Sequence, residues 1–275
     1  MQSTDGALGS WGSAMIEPYT DHPWTSGSLL INATALTAVS KSWASLGYQV
    51  NIHAIGDLAN RNAVDALEAA LQQQCPDAAA AAAAATGQQD DLSACQAAHR
   101  FRIEHSQIIH PDDQRRILAM GILPSIQPTH ATSDFKYAES RLGHDRLHAS
   151  AYRMKSLLPA RPVLGSDFPV EPPDPFQGIF AAVARRNPHT GKGPSGGGDG
   201  FLPSETLSLD EAIWGFTSGP AYGSFLEGKA GVIREGAFAD WVVLDKPLEV
   251  TEIDDLRHLK VKETWVGGTQ VYRRP

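Results

Sequence analysis

Apolar residues in the first third of the chain recur three or four positions apart over two segments, 34–46 and 58–74. This spacing puts them on one face of a helix, so the pattern predicts two amphipathic α-helices. Gly47 follows the first segment and predicts its end. A third helix is predicted from Pro111 to Gly121, because proline is favoured in the first helical turn and glycine just after the last. The apolar positions of the first two segments are Leu36, Val39, Trp43 and Leu46, then Ala63, Val64, Leu67, Ala70 and Leu71.

Short β-rich runs separate these helices, and each is followed by polar residues. Strands joined by helices through short connections are typical of a parallel α/β fold. Further along, Ser208 and Glu211 form a capping-box pattern that predicts a helix ending near Gly219 and Pro220. The predicted strands are 48–52, 101–105, 122–127 and 162–165.

The pattern changes in the last fifth of the chain, where β-rich runs follow one another without a long helix. A Gly267-Gly268 pair indicates a hairpin turn. We therefore predict two domains, 1–228 and 229–275. Within the first, the Ala-rich segment 76–97 is interpreted as a surface insertion without chemistry, and the Gly/Pro-rich segment 187–205 as a loop or lid. The β-rich runs of the tail are 239–244 and 263–266.

Composition and charge exclude several classes of protein. The 275 residues carry 23 Lys+Arg and 31 Asp+Glu, a net charge of −8, so there is no basic surface for nucleic acid. The longest apolar run is eight alanines, against about 20 residues for a membrane span. No secretory signal is visible at the amino terminus. Two cysteines, Cys75 and Cys95, cannot make a disulfide framework, and we expect a reduced, cytoplasmic protein.

Three polar residues, His53, His105 and Asp167, stand where predicted strands end. Active sites of parallel α/β barrels collect at the carboxyl ends of the strands. Two imidazoles and a carboxylate suit Zn²⁺ with one position left for water, whose pKa would fall to about 7. Asp167 could then accept a proton and return it to a leaving nitrogen. The alternative is that each histidine is a hydrogen-bonded structural residue, since the chain has no HxH or HExxH pair.

Five segments, in this order, resemble amidohydrolase family 3, the branch of the amidohydrolase superfamily typified by N-substituted formamide deformylases. The tail segments KAGVI (229–233) and GAFADWVVLD (236–245) resemble the C-terminal signature of the same superfamily. The resemblance runs from Asp5 to about Tyr272. The five segments are DGALGS (5–10), HAIGD (53–57), RIEH (102–105), QPTHATSD (127–134) and GSDFPVEPPDP (165–175).

The resemblance implies a metal-dependent hydrolase that cleaves carbon–nitrogen bonds other than peptide bonds, of amide or formamide type, by attack of metal-activated water. The implied fold is roughly the second half of a distorted TIM barrel, followed by C-terminal strands of a small β-sandwich. His53 and His105 match metal ligands, and Asp167 matches the aspartate that binds metal and handles the proton.

His130 lies in the family's Gln-Pro-Thr-His segment and is a candidate to contact the substrate or the tetrahedral intermediate. Alternatively, His130 does not touch the substrate and instead supports a site residue through a hydrogen bond. Asp134 and Arg102, which lie in matching segments, complete the expected substrate-binding set. The implied cofactor is zinc, as one or two divalent ions, and the implied partner is a small-molecule amide.

The chain also departs from the family pattern. It has no HxH pair, and residues 1–4 contain no lysine before the DGALG segment. About four strand–helix units remain, so we expect an open barrel that begins midway, with weakened metal binding. Three hypotheses follow: an active C–N hydrolase, a non-catalytic truncated or degenerate fragment, and a barrel completed in a homo-oligomer, since an open sheet edge invites pairing.

Overall fold

A computed structural model describes residues 2–77, 91–248 and 251–275. The chain forms two compact units, one of residues up to 126 with 134–162, the other of 127–133 with 163–275. These units differ in extent from the predicted domains 1–228 and 229–275. The difference arises because the helix Pro175–Ala184 packs on the 3₁₀ helix Ile253–His258 of the tail.

The first unit is built on parallel strands in the order β1-β2-β3-β4. Helices follow the strands, and the core between them contains Ile52, Leu67 and Ile103, all fully buried. The parallel α/β class predicted from the sequence is confirmed. The strands are β1 (Gln2–Ser3), β2 (Asn51–Ala54), β3 (Arg102–His105) and β4 (Leu123–Ile126). The helices are α1 (Ala33–Ser45), α2 (Asp57–Gln74), α3 (Asp91–His99), α4 (Pro111–Met120), α5 (Pro128–Leu142) and α6 (His144–Ser150).

Helix ends follow the expected local chemistry. The Asn32 side chain caps α1 by accepting from the Ala35 amide at 2.8 Å. Pro111 occupies the first turn of α4, and Gly121 ends that helix with φ of 72°. A left-handed conformation is readily adopted by glycine because it has no Cβ.

The segment 76–97 departs from its predicted role. Residues 78–90 lie outside the described residues, but 91–97 belong to α3, where Leu92, Cys95 and Gln96 are buried. The Gln96 side chain exchanges two hydrogen bonds with the backbone of Phe101, at 2.8 and 3.2 Å. The expectation of a surface insertion is therefore wrong for this part. Reduced cysteines were also wrongly expected, because α3 lies against the end of α2 and Cys95 forms a disulfide with Cys75.

In its described residues, the second unit contains the start of α5 (128–133), a short strand, further helices and a separate antiparallel sheet in the order β6-β7-β8. Gly267 and Gly268 form the turn between its last two strands, as predicted. The capping box of Ser208 and Glu211 is present, but its helix ends at Phe216, before the predicted stop. The elements are β5 (Val163–Leu164), α7 (Pro175–Ala184), α8 (Leu209–Phe216), α9 (Ser218–Gly223), β6 (Trp241–Leu244), β7 (Val261–Val266) and β8 (Thr269–Arg273).

The segment 187–205 contains turns and one 3₁₀ helix, Pro203–Glu205. Among the described residues, no helix is both long enough and apolar enough to cross a lipid bilayer.

Candidate active site

His53 and His105 meet in the first unit, at the carboxyl ends of the neighbouring strands β2 and β3. Their ring centroids are 4.4 Å apart, with the rings nearly perpendicular. The register pairs His53 with Glu104, so regular alternation would turn the His105 side chain to the opposite face. His105 instead has φ of 73°, a left-handed conformation that interrupts the alternation where the strand ends.

Asp5 lies behind His53 and is buried. Its Oδ1 atom is 3.4 Å from Nδ1 of His53. Its two oxygens also accept from the backbone amides of Ala14, Ile55 and Gly56, at 3.0, 3.1 and 2.8 Å. Three amide donors fix the carboxylate beside Nδ1 of His53, although that nitrogen makes no hydrogen bond with it in this structure; a proton on Nδ1 would face this carboxylate. The lone pair of that ring is then on Nε2, the form in which an imidazole binds a metal ion.

His130 and Asp167 meet in the second unit. Nε2 of His130, in the first turn of α5, lies 3.8 Å from Oδ2 of Asp167. Asp167 follows β5 and has φ of 59°, another left-handed conformation outside glycine. Nearby in the same unit, the Ser133 hydroxyl donates to a Glu171 carboxylate oxygen at 2.6 Å. The unit therefore holds an imidazole and a carboxylate within reach of each other.

Asp134, predicted to bind substrate, is engaged by three side chains of the first unit. It accepts from the Tyr152 hydroxyl at 2.9 Å, from the Gln107 amide at 3.1 Å and from the Tyr137 hydroxyl. Burial, together with the Asp134 carboxylate, raises the pKa of Tyr152 well above its ordinary value. The Tyr152 hydroxyl therefore stays protonated and donates a hydrogen bond to Asp134. Because Gln107 follows His105 by two residues, this network holds the connection after β3.

Arg102, also predicted to bind substrate, lies at the opposite end of β3 from His105. They are three positions apart along the strand, about 10 Å at 3.3 Å per residue. Its guanidinium forms an ion pair with Glu104 at 2.9 Å. The structure thus does not bring Arg102 to the histidine pair.

Asp5 and Gln107 were not among the predicted site residues. Asp5 is the first residue of the DGALGS segment, and its place in a segment that resembles the family was a signal for it. Gln107 had no such signal, because its role depends on a contact with Asp134, 27 positions away.

Comparison with known proteins agrees with this geometry. The model of the Amidohydrolase family matches residues 3–272. The chain belongs to the amidohydrolase family. Over 98% of its length it is 32% identical to the putative amidohydrolase YtcJ of Bacillus subtilis, of which it covers 46%. It is 27% identical to an N-substituted formamide deformylase of Arthrobacter pascens, covering 84% of this chain and 38% of that protein.

A solved structure is similar as well. It is an uncharacterized metal-dependent hydrolase from Pyrococcus horikoshii, with a TM-score of 0.73 and 27% identity, over 92% of this chain and 45% of that one. This amidohydrolase chain thus spans less than half the length of the relatives it matches.

Proposed function

We propose that this amidohydrolase takes part in the hydrolysis of non-peptide carbon–nitrogen bonds, of the amide or N-substituted formamide type. The observation that carries the proposal is the His53–His105 pair at adjacent strand ends, with the Asp5 carboxylate 3.4 Å from Nδ1 of His53. We propose His53, His105 and Asp167 as ligands of one divalent ion, zinc first. The wider fold proposed is the second half of a distorted TIM barrel, with strands of a β-sandwich.

The donor chemistry fits such an ion. Two imidazoles and one carboxylate form a common ligand set of catalytic zinc. His105 is buried, and His53 is largely so, which keeps both rings at fixed positions. When bound, the ion supplies a Lewis acid that polarises a carbonyl and lowers the pKa of water towards neutrality.

The chain's own residues supply proton transfer. Water adds to the amide carbon, and Asp167 takes the water proton on a carboxylate oxygen. The carbon–nitrogen bond then breaks, and Asp167 returns that proton to the leaving nitrogen, giving an acid and an amine. His130, 3.8 Å from Asp167, can orient this carboxylate or donate to the substrate oxygen.

The remaining proposed contacts are supported less directly. Asp134 and Arg102 stay in the proposed substrate-binding set through family resemblance, while their contacts favour positioning roles. The formamide class rests on the named activity of the Arthrobacter pascens relative. A small-molecule amide partner, a cytoplasmic location and a homo-oligomer stay predictions.

The test measures zinc content and hydrolysis of N-substituted formamides by the purified chain. With Cys75 and Cys95 kept as the disulfide, we expect about one zinc per chain and formate release. His105→Gln and Asp167→Asn should each lose the zinc and the activity, whereas His189→Gln, which removes an exposed histidine, should keep both. Zinc retention unchanged in either ligand variant would contradict the proposed ligand set.

One observation favours the non-catalytic alternative: none of the 275 residues forms an HxH pair. If the chain binds zinc but releases no formate from any formamide, the ligand set stands and the hydrolytic proposal fails. If the chain binds no zinc, the proposed ligand set and the proposed hydrolytic activity both fail.

A further inference from the structure

A second group of metal-ligating side chains lies in the first unit, where two helices end. Cys75 is the C-cap of α2, and His99 is the last residue of α3. Cys95 precedes His99 by four residues, which places both on one face of α3. The ligand atoms of Cys75, Cys95 and His99 all lie within 4.8 Å of one another.

The setting favours a cation. The last carbonyls of a helix carry a partial negative charge, and here α2 and α3 both end beside the cluster. The His99 ring packs against fully buried Phe101, with ring centroids 5.3 Å apart, so its position is restrained. Sγ of Cys95 is 3.7 Å from the Leu71 carbonyl oxygen, a distance suited to a thiol that donates to it. A disulfide sulfur has no proton to donate, so Cys95 can make this hydrogen bond only as a reduced thiol.

We propose that Cys75, Cys95 and His99 form a metal site for a soft or borderline ion such as zinc, which is open when the cysteines are reduced and closed by their disulfide. Thiolates and imidazole are the ligands that zinc favours. Reduction of the Cys75–Cys95 disulfide takes two electrons and two protons from a thiol reductant, which is oxidised to a disulfide. Ion binding then releases the two thiol protons.

Geometry and access allow this exchange. Zinc–sulfur bonds of about 2.3 Å at a tetrahedral angle put two sulfurs about 3.8 Å apart. The two Cα atoms, 6.2 Å apart, leave room for that separation through side-chain rotation. Cys95 is buried, but Cys75 and His99 are partly exposed, so a reductant and an ion can reach the cluster.

Cobalt(II) is the probe, because thiolate ligands give it a near-ultraviolet charge-transfer band. Cys75 and Cys95 are the only cysteines in the sequence, so the band reports this cluster alone, whatever the proposed catalytic centre binds. The whole chain is titrated after reduction with a phosphine and after oxidation. We expect the band only in the reduced chain, and its displacement by zinc.

Variants separate the ligands. Cys95→Ser should abolish the band, and His99→Gln should weaken cobalt binding at least tenfold while leaving the cysteines intact. His189→Gln serves as the control and should bind as the parent does. Far-ultraviolet circular dichroism establishes that each reduced variant is folded. A reduced chain without the band, or a His99→Gln variant with parental affinity, would overturn the proposal.

Discussion

Two of the candidate site residues have an unusual backbone conformation. His105 and Asp167 both adopt left-handed φ values, 73° and 59°, and Ser106 follows with 44°. Such conformations cost about 1–3 kcal/mol each outside glycine and collect at functional sites. At His105 the left-handed conformation interrupts the strand alternation, and the His105 ring lies against the ring of His53. Nothing in the order of polar and apolar residues signals it.

Asp5→Asn tests the residue behind His53. One carboxylate oxygen accepts from two backbone amides and the other from a third, so an amide group must turn its NH2 towards at least one donor. We expect the free energy of unfolding to fall by about 3 kcal/mol, since buried donors lose charge-assisted hydrogen bonds. Zinc affinity should fall about tenfold as His53 loses its orienting partner.

Urea unfolding and zinc titration measure the two effects of Asp5→Asn. Exposed Asp77 provides the control, and Asp77→Asn should change the free energy of unfolding by less than about 0.5 kcal/mol. An Asp5→Asn variant as stable as the parent would show that the amide contacts contribute little.

Asp57→Asn tests pH dependence. Burial raises the pKa of Asp57, although the carboxylate accepts from the Ile16 amide at 2.7 Å. Between the unfolded value of about 3.9 and the raised folded value, the native state binds more protons than the unfolded state. Stability from this group is therefore present at low pH and is lost as pH rises through the folded pKa. As the pH rises through the folded pKa of Asp57, the free energy of unfolding of Asp57→Asn should increase relative to that of the parent.

Urea unfolding of both proteins from pH 4 to pH 7 measures this gain. A difference in the free energy of unfolding that stays constant with pH would exclude Asp57 as the source.

At the scale of elements, helices and strands with regular apolar spacing were predictable. The spacing identified α1 and α2, whereas Pro111 and Gly121 marked the ends of α4. The placement of β2 and β3 predicted that His53 and His105 would meet at strand ends. The helices α5 and α7 were missed. For α7 a signal existed, because Asp174 caps the helix and Pro175 occupies its first turn.

The rest of the site depends on contacts between distant residues. Asp5 meets Ile55 and Gly56 across about 50 positions, and Asp134 meets Gln107 across 27. Local pattern carries no information about such pairs. The disulfide was missed for the same reason, because it required the packing of α3 on α2.

Ser208→Ala tests the capping box of α8. The Ser208 hydroxyl accepts from the Glu211 amide at 3.2 Å, and the Glu211 carboxylate accepts from the Ser208 amide at 2.8 Å. Removing the hydroxyl leaves one amide of the first turn without its cap. We expect the free energy of unfolding to fall by about 1 kcal/mol. Ser204→Ala, at an exposed position outside this helix, is the matched control for thermal unfolding, and an equal shift in both variants would contradict the capping role.

At the scale of the whole molecule, the three proposed metal ligands, His53, His105 and Asp167, lie far apart in the sequence. An ion held by all three would bind the folded chain in preference to the unfolded one, so it would stabilise folding by mass action. Cys75 and Cys95 must be kept as the disulfide in this measurement, because their thiols would otherwise bind zinc as well.

Zinc at a hundred times its Kd should raise the free energy of unfolding by about 2.7 kcal/mol. If Asp167→Asn weakens binding a hundredfold, the same zinc concentration equals one Kd, and the increment falls to about 0.4 kcal/mol. His105→Gln should lose the increment similarly. Urea unfolding with and without a chelator measures both. An Asp167→Asn variant that kept the full increment would exclude Asp167 as a ligand of the ion.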